Sequence, residues 1–243
     1  MDIFDYIGYK ENIKPYDKRI PKTQLFLHGE LSKAERDLLT ERVEEVRLTY
    51  VFNEQTYPME PVITSEEHYD TIVIVTVELK REVSLQRLSR IIHEALPSPT
   101  IVVFNLNGKF LFTSALKRLS KNEKGKIVIE EYHFGSWMDI DSLTVSQRLF
   151  LQAITYGKIP ALDYKQAYIH FHRQIYEESN AEIVSRIETS DFEVLKQKTE
   201  EQKALQQEIE RLTKLLNQKS VSLKEKIELA KQIEKLNKKI YES

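Results

Sequence analysis

Cysteine is absent from the 243 residues, which excludes disulfides and thiolate metal sites and fits a reducing cytoplasm. Glycine is scarce. Six occur, none in a Gly-x-Gly-x-x-Gly or Gly-Lys-Ser/Thr setting, so no phosphate-cradling loop is expected. Gly135-Ser136-Trp137 lacks the flanking glycine of a nucleophile elbow, which removes the usual serine-hydrolase motif. No apolar run is long enough to cross a bilayer. The opening Met1-Asp2-Ile3-Phe4-Asp5-Tyr6 has no basic region ahead of an apolar core, so no secretory signal is expected and the chain reads as cytoplasmic. A surplus of one charge is missing too: 36 Lys and Arg stand against 38 Asp and Glu, for a formal net charge of -2. That balance argues against a uniformly basic nucleic-acid binder. There is no repeat of solenoid period and no Gly/Ser linker between segments.

What is present is a run of local signals. Ser32 and Glu35 form a capping box ahead of Leu38, Leu39 and Val43, predicting a helix over about 32–43. Val46, Leu48, Tyr50 and Phe52 alternate as in a half-buried strand, and Val62-Ile63 is a possible short one. Thr71-Ile-Val-Ile-Val-Thr-Val77 has no polar interruption, the pattern of a strand covered on both faces. Ser84 precedes a helix carrying Leu85, Leu88, Ile91, Ile92 and Ala95, which Pro97 ends. Ile101–Leu106 and Lys109–Thr113 flank Asn107-Gly108, a strong hairpin signal because both residues tolerate positive φ. A further strand covers about 126–134, and Thr144 with Gln147 opens a helix to about Tyr156. Residues up to about Gly29 read as irregular.

The C-terminus is the most legible part. Leu195, Leu205, Ile209, Leu212 and Leu216, with Gln202 as a polar member, recur at heptad spacing. After Asn217-Gln218-Lys219-Ser220, a Ser222/Glu225 capping box opens a second run through Leu229, Ile233, Leu236 and Ile240. The fold class expected is α/β (α+β): a mixed β-sheet of about five strands flanked by helices, then an antiparallel coiled-coil hairpin. The expected divisions are 1–140 for the sheet, 141–190 for helices packed on it, and 191–243 for the hairpin.

Chemistry is less legible. Asp70 opens the apolar strand and Glu78-Leu79-Lys80 closes it, followed by a helix and another strand. Nucleases of the restriction-endonuclease superfamily use an acid and then Glu/Asp-x-Lys at a strand end, since paired carboxylates hold Mg²⁺ and the lysine steadies the attacking water. The first acid normally lies on the preceding strand; here the candidates are Asp70, Glu60 and Glu66. The plainer reading is the solvated end of a strand. His170 and His172 are two apart on a helix and face different ways, and His133 near Trp137 and Asp139 reads as core packing, so no metal site is expected. Lys117, Arg118, Lys121, Lys124 and Lys126 cluster about one turn, and Lys18, Arg19 and Lys22 about another. They are candidate DNA contacts if they share a face with exposed aromatics.

Several segments together carry a family resemblance: Tyr16-Asp-Lys-Arg-Ile-Pro-Lys22, Val77-Glu-Leu-Lys80, Ala95-Leu-Pro-Ser-Pro99, Ile101-Val-Val-Phe104 with Asn107-Gly108-Lys109, Glu131-Tyr-His-Phe-Gly-Ser-Trp137 and the lysine-rich coiled coil. The chain resembles a bacterial family known only as domain of unknown function 4391. The resemblance brings no established activity. It implies genes placed beside helicases and DNA methyltransferases in restriction-type or phage-defence cassettes, and so a helicase-associated subunit. Many relatives have Gln or Asp partners in the helix after the Glu-x-Lys strand, where this chain has Gln86 and Arg87. The expectation is therefore a non-catalytic accessory subunit without cofactor, contacting a helicase, a methyltransferase or a second copy through the hairpin. The alternatives are a Mg²⁺-dependent nuclease using Glu78 and Lys80, with Asp70 and Gln86 as weaker candidates, and a nucleic-acid-binding module.

Overall fold

Two capping boxes set the helices that bracket the sheet. Ser32 Oγ accepts from the Glu35 amide while the Glu35 carboxylate accepts from the Ser32 amide, starting α4 (Lys33–Arg42). Thr144 and Gln147 repeat the arrangement at α6 (Val145–Ala153). The computed structural model describes residues 2–121, 123, 126–218 and 222–242, with the main chain alone at 241 and 242. The chain divides into two units, Met1–Ser179 and Asn180–Ser243.

The first unit is a mixed sheet between two helical layers. Its long strands are β2 (Val43–Phe52), β5 (Ile72–Leu79), β6 (Thr100–Leu106), β7 (Lys109–Leu119) and β8 (Ile127–Phe134). The two-residue strands β1 (Lys18–Arg19) and β9 (Met138–Asp139) bring the total to seven, in the order β1-β2-β5-β6-β7-β8 with β9 on β7. They were missing from the expected five because two residues carry no readable alternation. β5 and β6 run parallel around α5 (Leu85–Ala95); the other long pairs are antiparallel. The β6–β7 turn has Asn107 at φ 54° and Gly108 at φ 81°, the two positive angles a type I′ hairpin requires. A separate ribbon pairs β3 (Val62–Ile63) with β4 (His68–Tyr69).

β5 is covered on both sides, as its apolar run predicts. Ile72, Ile74, Val75 and Val77 are buried and Val73 is half-buried. Val75 and Val77 face a core with α4, α5 and α3 (Lys22–His28). Ile72 and Ile74 face a second core with α6, α7 (Tyr164–Ser179) and the N-terminal turns α1 (Ile3–Tyr6) and α2 (Tyr9–Asn12). The first 29 residues are thus not irregular throughout. Ile3, Phe4, Ile7, Tyr9 and Ile13 are all buried, and their turns are too short to show a helical period in the sequence.

The second unit holds α8 (Ala181–Val184), α9 (Phe192–Leu216) and α10 (Leu223–Glu242). α9 and α10 pack together as the antiparallel hairpin expected, with the Ser222/Glu225 box at the start of α10. Leu205, Ile209, Leu216, Leu229, Ile233, Leu236 and Ile240 are half-buried and Leu212 is buried. Leu195 is buried in a small cluster with Ile183 and Ile187. In the interrupted segment between the two runs, Lys219 and Ser220 lie outside the described residues.

Candidate functional site

The Glu-x-Lys end of β5 is a charged corner, but not the constellation expected from sequence. Asp70 precedes the strand and Glu78 nearly ends it, so at about 3.3 Å per residue they are separated by roughly 26 Å and cannot share an ion. Asp70 Oδ2 instead lies 3.0 Å from His68 Nε2 and, with Glu60, Asp70 lines an open groove beside Tyr164. Glu66 pairs with Lys121 at 2.8 Å. Lys80 turns its ammonium to the carbonyl of Thr40 at 3.1 Å, at the end of α4. Val77 packs in the α5 core, so strand alternation directs Glu78 to the opposite face from exposed Gln86 on α5.

What Glu78 does meet is Glu45, its register partner on β2. Burial raises the Glu78 carboxyl above the ordinary carboxylate range, and Glu45 and Asp2 add to the effect. Asn105, donating to Oε1 at 3.1 Å, opposes it. Glu45 is itself held by Arg47 at 2.8 Å and Arg19 at 3.5 Å. Sequence reasoning missed Glu45 because its proximity depends on register across two strands, with a loop of about twenty residues between them.

The candidate nucleic-acid contacts are mostly committed to acids or backbone. Lys117 was expected on the surface and is buried. Its ammonium donates to the carbonyls of Leu96 (2.6 Å) and Ser98 (2.9 Å) and to Thr100 Oγ1 (3.3 Å), closing the C-terminal end of α5. Its Cβ is on the α5 side of β7 and its stem is long enough to reach those orphan carbonyls. Arg118 pairs with Glu130, Lys121 with Glu66 and Lys126 with Glu123. Lys124 lies outside the described residues. On the other patch, Lys18 and Arg19 are exposed, with Lys18 over the ring of exposed Tyr16. Lys22 donates to the carbonyl of Val43, and burial pulls it below the usual lysine range.

A third group was not expected at all. Glu131 and His133 alternate on β8, and α7 brings His172 against them. The two imidazoles stack with ring centroids 3.9 Å apart and planes 25° off parallel. His133 Nε2 lies 3.5 Å from Glu131 Oε1, and His172 Nε2 lies 3.5 Å from Glu131 Oε2. One ligand atom from each of the three residues falls within 4.8 Å of the others. Ser114 Oγ, across the β7–β8 ladder, hydrogen-bonds His172 Nδ1 at 2.8 Å. The ring of Tyr176 covers His133 at 4.8 Å. His172 finds its partners on a strand, not at His170 along its own helix. The Glu-x-His alternation on β8 was the available signal.

Ser136 has no nucleophile's surroundings. It donates to the buried Glu178 carboxylate through its amide and its hydroxyl, and Gln147 donates to Ser136 Oγ at 2.9 Å. A Cβ at Gly135 would meet Glu178 Oε2 at 3.1 Å, so glycine allows this close approach.

A mixed sheet covered on both faces, joined to a two-helix coiled coil, defines an α+β protein with no helix long and apolar enough to cross a membrane among its described residues. The chain belongs to the family described as Domain of unknown function (DUF4391), whose model matches residues 15–240. No curated protein and no solved structure matches it.

Proposed function

We propose that the protein is a non-catalytic accessory subunit of a bacterial defence or restriction-type system, and that α9–α10 is the surface with which it holds a helicase or methyltransferase partner. One observation carries the reading. α10 has an apolar residue at every seam position from Leu229 to Ile240, yet none of its described side chains is fully buried, and Leu223 and Ile227 are exposed at 76% and 52%. One neighbouring helix covers only part of such a stripe, and coiled coils bury the remainder against further chains. The gene neighbourhood implied by the family resemblance supplies the partner class.

Co-expression with the helicase or methyltransferase encoded alongside, followed by size-exclusion chromatography, tests the reading. The wild-type chain should co-elute with its partner. Leu223→Glu/Ile227→Glu should lose the partner while keeping its helical circular dichroism. A complex that survives both that variant and the seam variant Ile209→Glu/Leu212→Glu would remove the hairpin from the interface. A symmetric dimer of the chain alone, broken by the same changes, would assign the stripe to self-association.

A second reading, a Mg²⁺-dependent nuclease, draws on the Glu78 carboxyl beside Glu45. It supplies two carboxylates at a strand end, whereas the Lys80 ammonium is engaged with α4.

A further inference from the structure

The Glu131–His133–His172 group has the composition and spacing of a metal site. We propose that these three side chains bind one divalent first-row transition-metal ion of the zinc type, with the remaining coordination position open to water. This inference is independent of the hairpin's role.

The distances carry the argument. Hydrogen bonds between imidazole N–H and carboxylate close to about 2.7–2.9 Å. Both imidazoles instead stand 3.5 Å from separate oxygens of one carboxylate. Ligand bonds of about 2.0–2.2 Å to nitrogen and oxygen put neighbouring donors of a tetrahedral ion roughly 3.3–3.5 Å apart. The observed imidazole–carboxylate separations match the donor–donor edges of such a polyhedron.

The surroundings agree. A Nδ1–H of His172 donating to Ser114 Oγ leaves the Nε2 lone pair directed toward Glu131, the outer-shell arrangement that orients ligating histidines. His133 and His172 are buried, whereas the Glu131 side chain is 28% exposed. Solvent thus reaches the group from the Glu131 side, giving an ion its path and a water its place. Two imidazoles with one carboxylate suit Zn²⁺, Fe²⁺, Co²⁺ or Ni²⁺ and disfavour Mg²⁺ and Ca²⁺, which take oxygen donors. Bound there, the ion would tie β8, at the edge of the sheet, to α7.

The full-length chain, stripped by chelator and dialysed, is titrated with Zn²⁺ by calorimetry and with Co²⁺ by visible absorption. The expected result is one ion per chain, Co²⁺ d–d bands of low-coordinate intensity, and a Tm that rises with Zn²⁺. Glu131→Gln keeps the side chain's shape at a partly exposed position, and should weaken Zn²⁺ binding at least tenfold and abolish the Tm rise. His133→Gln should do the same. His68→Ala, at the exposed His68–Asp70 pair, should leave both readouts unchanged. If the wild-type chain binds no Zn²⁺ or Co²⁺, or if folded Glu131→Gln binds them as tightly, the assignment is overturned. Should His133→Gln fail to fold, Glu131→Gln alone decides.

Discussion

Lys117 shows how far one residue's setting can depart from its chemical type. A lysine among Arg118, Lys121 and Lys126 in sequence becomes the buried cap of a helix end, and burial brings its pKa down to about 7. An unfolded lysine titrates near 10.4, so between pH 7 and about 10 the unfolded chain binds a proton that the folded chain does not. Unfolding free energy therefore rises with pH across that window and gains nothing from this group below it. Lys22, also lowered by burial, acts with the same sign. Above about pH 10 the trend reverses: burial raises the Tyr50, Tyr69 and Tyr132 phenols to about 12, so they keep their protons only while folded. Urea midpoints measured from pH 7 to 10 should rise in the wild-type chain and rise less steeply in Lys117→Met. Equal slopes would mean that the ammonium stays charged on its three acceptors throughout.

At the scale of elements, β2 shows a local pattern being redirected. Val46, Leu48, Tyr50 and Phe52 read as one face, but the register slips by one residue between Leu48 and Tyr50. That bulge at Thr49 turns Val46 and Leu48 to the α5 core and Tyr50 and Phe52 to the α7 core, so one alternating strand serves both layers. The hairpin needs no such correction. Its helices lack independent cores, and helices in isolation are marginal in water, so each holds its shape through the other. Leu212, like Leu195 and Gln202, is a buried member of the seam and Ile209 is half-buried, and a fully buried aliphatic side chain contributes about 1.5–3 kcal/mol. Ile209→Glu/Leu212→Glu should reduce the helical signal at 222 nm while leaving the fluorescence of Trp137, the only tryptophan and a residue of the sheet unit, unchanged. Full helicity in that variant would show that the seam does not hold the hairpin.

For the whole molecule, the two functional readings differ in what the purified chain does alone. An accessory subunit incubated with Mg²⁺ or Mn²⁺ should leave linear and circular DNA intact. Cleavage that disappears in Glu78→Ala and in Glu45→Ala would make the corner of β2 and β5 an active site and displace the accessory reading; persistence in both would point to a contaminating enzyme. The long separation of Asp70 from Glu78 already restricts any such site to acids brought by β2 and the N-terminal turn.

Much of the architecture was legible from residues within a few positions of one another. The capping boxes at Ser32, Thr144 and Ser222, the positive-φ pair Asn107-Gly108, the uninterrupted apolar run of β5 and the heptads of α9 and α10 depend on hydrogen bonds and side-chain periods that close within one or two turns. Those interactions are encoded by neighbours, so the sequence by itself determined these elements and the two-sided cover of β5. Which charged groups meet was decided only by the tertiary structure. Glu45 reaches Glu78 through register across β2 and β5; His172 reaches Glu131 and His133 by packing of α7 on β8; Lys117 loses its water to the end of α5. Desolvation and cross-strand register are set by segments distant in the chain, and electrostatic interaction depends on distance and dielectric in space, neither of which local spacing records.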